Sequence, residues 1–196
     1  MKNVKPIWMQ DYAPGFSIFI KNNSNLLSDG IVWFQSLQES ASFIASHVLF
    51  VVNESLGLEA TEKGIQFCQI EDYFDDKNCQ VVCREPLDID DPAFLEAYNY
   101  GVSLKGRPYD FTGLALGFPL MILSGLSRWI KPLRKLPVPF HIPGARVCSS
   151  YVADCYKHTH RYKEVRLLKE WHVSRISPVA LFNHFTYKPF RFDKER

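Results

Sequence analysis

A cysteine at the head of a helix can do chemistry that a cysteine elsewhere rarely does. Of the chain's five thiols, Cys68, Cys79, Cys83, Cys148 and Cys155, Cys148 stands where a helix is expected to begin, at the front of "VCSSYVADCYKHTHRY" and just after the proline-broken "RKLPVPFHIPGAR". Unpaired amides and the positive end of the helix dipole favour a thiolate there, and the same amides can face a developing oxyanion. Cys155 lies seven residues on, two turns deeper, where a small buried hydrophobe is expected.

A thiol nucleophile needs a base, and His47 opens the strand-like run "SHVLFVVN". A cysteine alone is more often buried and inert, and a histidine at a strand head is as often structural as catalytic. The pair therefore gains weight from a third group that would orient the imidazole. Glu59 fits. If the hairpin after the histidine strand centres near Asn53 or Glu54, position 59 falls opposite 47 or 49, and strand alternation puts it on the face that carries His47. A register shifted by one would put the glutamate on the other face. Glu54, in the turn, and Glu62, in the next bend, are weaker choices, expected to be solvated.

A metal centre is the competing use of these residues. His141, Cys148, His158 and His160 are near one another in sequence, but no ligand spacing repeats, and His158 and His160 would point about 200° apart on a helix. Cys79 and Cys83 are four apart and match no zinc-ribbon pattern. No metal and no cofactor is expected, and an odd number of cysteines reads as free thiols in a reduced compartment.

The elements that must bring these residues together follow from periodicity. "APGFSIFIKN" reads as a turn and a short strand, and "LLSDGIVWFQSLQESASFIAS" as a loop followed by a helix or irregular segment. "HVLFVVN" is a strand of β-branched and aromatic residues, and "LEATEKGIQFCQI" a return strand bent at "EKG". "QVVCREP" is a strand closed by Pro86, while "DDPAFLEAYNYGVSL" has Pro92 after an acidic cap, the pattern of a helix start. "GRPYDFTG" reads as a loop. The final helix carries Cys148, with Ser149 and Ser150 placed to cap its free amides. A strand-rich half and a nucleophile helix predict an α+β fold, an antiparallel sheet packed against helices.

At 196 residues with 46% apolar content the chain suits one globular domain, residues 1–196. A net charge near +2 gives no reason to expect a nucleic-acid partner. The start, "MKNVKPIWMQDYAPG", lacks the apolar stretch and cleavage site of a signal peptide, so a cytoplasmic chain is expected. From Phe111 to Ser127 seventeen residues carry no charge, and "RWIKPLRK" follows. That insertion, around 111–145, reads as core or substrate wall, with peripheral membrane contact as the alternative.

The order "SHVLFVV", "LEATEKGI", "GRPYDF", "VCSSYVADCY" and "ISPVALF" resembles the permuted branch of the papain-like, NlpC-type cysteine hydrolases, the YiiX-like amidases, from about Pro14 to Phe182. The resemblance implies a circularly permuted papain-like fold in which Cys148 is the nucleophile, His47 the base and Glu59 the orienting residue. Tyr109 matches the family's aromatic before the nucleophile and is expected to line the substrate, as is Ser149 beside Cys148. Ser150 stands where the family often has an acidic residue. The implied activity is hydrolysis of an amide or acyl bond through a cysteine acyl-enzyme, on a peptide or acyl-lipid substrate. A lipid acyltransferase or thioesterase of the same fold, or an inactive peptide- or lipid-binding module, is the alternative; oligomeric state is not legible.

Overall fold

Among the described residues, short runs of β-branched and aromatic residues, separated by turn residues, give five strands, and these form one antiparallel sheet in the order β4-β3-β2-β1-β5. They are β1 (Ser17–Asn22), β2 (His47–Val51), β3 (Leu56–Thr61), β4 (Gly64–Gln69) and β5 (Cys79–Arg84). The described helices are α1 (Leu26–Gln38), α2 (Ile70–Asp75), α3 (Asp91–Ser103), α4 (Cys148–Lys157), α5 (Arg166–Glu170) and α6 (Pro178–His184), with a 3-10 turn at Val173–Arg175. The computed structural model describes residues 12–24, 26–38, 41–110, 135 and 145–189. The apolar run 111–127, most of the insertion around it, and His141 lie outside the described residues.

Alternation along the strands sorts side chains onto two faces. Phe19, Val48, Phe50, Leu58 and Ala60 enter the larger core, against which α3 and α4 pack. Ile18, Ile20, Leu49 and Val51 point the other way, into a smaller cluster closed by Ile70 of α2 and Val81 of β5. His47 and Glu59 have the parity of this second face.

The hairpin between β2 and β3 is set by Asn53, whose side-chain oxygen accepts from the Ser55 amide at 2.9 Å and the Leu56 amide at 2.8 Å. Pairing of Phe50 with Leu58 and Val51 with Gly57 follows, and continuing that register sets Glu59 opposite Leu49 and diagonal to His47. The return segment differs from the expected single bent strand. Glu62 and Lys63 make a tight turn into Gly64, which takes a φ of +96°, so β3 and β4 are separate, fully paired strands.

Helix α4 is the pillar of the larger core, buried from Cys148 through Tyr156. At its far end the Tyr156 hydroxyl donates to the Gly15 carbonyl at 2.8 Å and meets Ser17 Oγ at 2.8 Å, which the Tyr187 hydroxyl also reaches, at 2.7 Å. Helix α3 lies against α4. It starts at the expected place, with the Asp90 side chain accepting from the Ala93 amide at 2.8 Å and a proline in the first turn. Its buried residues are Ala93, Ala97 and Gly101, one small side chain per turn, which lets the two helices approach closely. A Cβ added at Gly101 would lie 2.7 Å from the Tyr151 hydroxyl and 3.1 Å from Cys155 Sγ.

That approach is testable. Gly101→Val forces α3 away from α4 and is expected to lower stability by about 1–3 kcal/mol in urea unfolding. An unchanged unfolding midpoint would contradict the close packing.

Candidate active site

Cys148 is the first residue of α4 and is 4% exposed. The residue before it, Val147, is extended and has no side-chain acceptor, so no cap side chain takes the amides of the first turn. Of the two serines expected to cap them, Ser150 takes one free amide, that of Val147, and Ser149 takes none. Both lie inside the turn, where side chains lean back toward the preceding residue. Ser150 Oγ accepts from the Val147 amide at 3.0 Å and donates to the Val147 carbonyl at 3.0 Å. Ser149 is buried, and its hydroxyl has no hydrogen-bond partner among the described residues.

The approach to the helix is tied on both sides. Arg146 bonds Asp154 of α4 at 2.7 Å, and the Tyr100 hydroxyl of α3 reaches the same carboxylate oxygen at 3.3 Å. Tyr109 forms a parallel bridge to Arg146, with the Asp110 amide donating to the Arg146 carbonyl at 3.2 Å. Burial, then the charges of Cys148 and Asp110, push the Tyr109 phenol well up.

His47 begins β2. At a strand end a side chain from one face is also open to the other. His47 Nε2 lies 2.9 Å from Glu59 Oε2 on the second face, and the Cys148 side chain, at the start of α4, acts on the same ring electrostatically. Burial disfavours the charged imidazole. The Cys148 side chain, and after it Glu59, outweigh burial and raise His47 from 6.5 to about 10.

The Glu59 side chain is 4% exposed. Burial alone would raise its carboxyl, but the bond and charge of His47, then hydrogen bonds from Tyr73 and Gln66, bring it below the ordinary carboxylate range. Gln66, directly across from it in β4, donates to Oε1 at 3.3 Å. Tyr73 of α2 donates to Oε2 at 2.5 Å. Gln66 could have been found from the strand register; Tyr73 carries no pattern that marks it.

The weaker glutamates do other things. Glu54 is exposed in the turn, where its carbonyl accepts from the Tyr12 hydroxyl at 2.6 Å, and Glu62 lies in the β3–β4 turn. His158 stacks on Tyr100 with ring centroids 3.5 Å apart, and His160 pairs with Glu96 at 3.0 Å, so neither joins Cys148. Among the described residues no three His, Cys, Asp or Glu side chains are placed to hold a metal ion. Burial raises the thiols of Cys68 and Cys155 far above the ordinary range and, with Asp76, that of Cys79 to about 12. No helix among the described residues is long and apolar enough to cross a membrane. No protein-family model matches the chain, and no curated protein sequence matches it either.

The influence of Cys148 and Glu59 on His47 can be read by NMR. The His47 ring is expected to titrate near 10. Cys148→Ser takes away the charge partner but leaves the burial, so the midpoint should fall, and Glu59→Gln should lower it as well. A midpoint near 6.5 that ignores Cys148→Ser would separate the two residues.

Proposed function

We propose that the chain is a thiol hydrolase of permuted papain-like type that cleaves an amide or acyl bond through a covalent cysteine intermediate. The observation that carries this reading is one imidazole bonded to a buried carboxylate at 2.9 Å, with its protonation favoured by the first residue of a buried helix, Cys148. With Nε2 engaged by Glu59, Nδ1 is the nitrogen left to exchange a proton with the thiol.

In this mechanism the Cys148 sulfur attacks the carbonyl carbon, and the carbonyl oxygen takes up the electron pair. The uncapped first-turn amides of α4, that of Cys148 first among them, are the donors offered to this oxyanion. Protonated His47 gives its proton to the leaving amine or alcohol as the tetrahedral intermediate collapses to a thioester. Neutral His47 then takes a proton from water, the resulting hydroxide adds to the thioester, and the carboxylic acid leaves as the thiolate is restored. Glu59 keeps the ring oriented and stabilises its charged form. Tyr109 and Ser149 line the substrate beside the thiol.

The acyl acceptor defines the nearest variant, since an amine or lipid in place of water gives acyl transfer with the same four groups. The uncharged stretch 111–127, followed by a basic segment, supports an acyl chain as part of the substrate, and with it peripheral contact with a membrane. A peptide amide, as in cell-wall stem peptides, is the substrate class that the family resemblance supports.

Limiting iodoacetamide, with the labelled peptides read by mass spectrometry across pH, tests the reading. Cys148 should be alkylated before the other four cysteines, and His47→Ala should weaken that preference. On any ester or amide that the protein turns over, His47→Ala should cost about 10²–10⁴-fold and Cys148→Ala should abolish turnover without unfolding the chain. A Cys148 that resists labelling in the native protein, with a profile indifferent to His47→Ala, would contradict the hydrolase reading.

A further inference from the structure

A carboxylate can orient a histidine only if something orients the carboxylate. Glu59 reaches His47 across a diagonal pair at the end of β2, and its own side chain has three rotatable bonds. Both of its oxygens are engaged: Oε1 by Gln66 at 3.3 Å, Oε2 by His47 at 2.9 Å and by Tyr73 at 2.5 Å. The Tyr73 bond is the shortest of the three, and it falls on the oxygen that faces the imidazole. The Tyr73 ring also lies against the His47 ring, with centroids 5.9 Å apart and planes tilted by 32°.

We propose that Tyr73 is a positioning residue of the Cys148–His47–Glu59 site, fixing the Glu59 carboxylate by its hydroxyl and the His47 ring by its aromatic face. The proposal rests on the thiol-hydrolase reading for its catalytic consequence and on geometry for its physical one.

Helix α2 is built to deliver this side chain. Ile70 is fully buried in the second face, and its amide donates to the Ser55 carbonyl at 2.9 Å, which pins the helix start to the β2–β3 turn. Tyr73 is three residues on, on the same side of the helix. Phe74 stacks on Tyr12 with centroids 5.7 Å apart and holds the other end. The phenol is also a permanent donor. Burial, then the charge of Glu59, push it far above the ordinary tyrosine range, so it stays protonated wherever the site works. The titratable groups around the pair are His47 from β2, Cys68 from β4 and Cys79 from β5, both with raised thiols, and Asp72 and Asp76 from α2 and its end, which line the same cleft. A cleft of about 480 Å³, lined by Glu59, Gln66, Cys68, Tyr73 and Cys79 among others, runs beside the carboxylate. Without the Tyr73 hydroxyl, water from that cleft would solvate Oε2 and loosen its hold on the imidazole.

Tyr73→Phe in the full chain removes one oxygen and keeps the ring. Three readouts decide the matter: the NMR titration of His47, the rate at which iodoacetamide alkylates Cys148, and thermal unfolding. Tyr73→Phe is expected to lower the His47 midpoint by about half to one pH unit and to slow alkylation of Cys148 at neutral pH by roughly three- to tenfold. In a Glu59→Gln background the same change should add nothing, because the carboxylate through which it acts is gone. A Tyr73→Phe protein that loses stability but keeps the wild-type His47 midpoint and alkylation rate would reduce Tyr73 to packing. An effect that persists in full in the Glu59→Gln background would also overturn the proposal. Failure of the hydrolase reading looks different: His47→Ala would then leave Cys148 alkylation unchanged, whatever Tyr73→Phe does to the His47 titration.

Discussion

The bond between His47 and Glu59 is the constraint to which the rest of this structure answers. A carboxylate with 4% of its side chain exposed is costly unless its charge is met, and an effective penalty of several kcal/mol falls on a buried ion left unpaired. Meeting it requires three pieces of local structure at once. The Asn53 turn sets the β2–β3 register, the tight turn into Gly64 brings Gln66 directly across from Glu59, and α2 folds over the second face to bring Tyr73. Had β2 and β3 paired one residue out of step, Glu59 would have entered the larger core and His47 would have lost its partner.

The other half of the site comes from the opposite side of the sheet. Helix α4 is held at its far end by the hydroxyl chain through Tyr156, Ser17 and Tyr187, along its length by the close contact with Gly101, and near its start by the bond of Arg146 to Asp154. These contacts set where Cys148 sits. Because His47 is the first residue of its strand, its ring lies at the end of the sheet, where the Cys148 side chain at the start of α4 acts on its protonation. In the proposed hydrolase, a nucleophile and base built on packed elements would need little reorganisation before attack.

Much of this was legible from local pattern. The parity that puts Glu59 beside His47 follows from a period of two and a turn centred near Asn53, and the start of α3 was marked by Asp90 and Pro92. The helix headed by Cys148 was marked by its spacing and by the broken segment before it. What escaped was set by contacts distant in sequence. Strand β1 lies between β2 and β5, so β5 pairs with a strand some sixty residues earlier, and nothing local announces that. The same holds for Tyr73, whose role depends on α2 crossing the second face; in "EDYFDD" it looks like any half-buried aromatic. The expected serine caps were realised in part: Ser150, inside the helix, reaches back to the Val147 amide, while Val147 holds the capping position and Ser149 caps nothing.

In the proposed mechanism Cys148 becomes acylated with His47 as its proton carrier. Rapid acid quenching after mixing with an activated ester such as p-nitrophenyl acetate, followed by intact-mass and peptide mass spectrometry, reads that step alone and requires no knowledge of the natural substrate. A single acetyl group is expected on Cys148, released by hydroxylamine as a thioester should be, and persisting longer in His47→Ala once formed because water is no longer activated. Acetylation spread over lysines or other cysteines, with Cys148 unmodified, would contradict it.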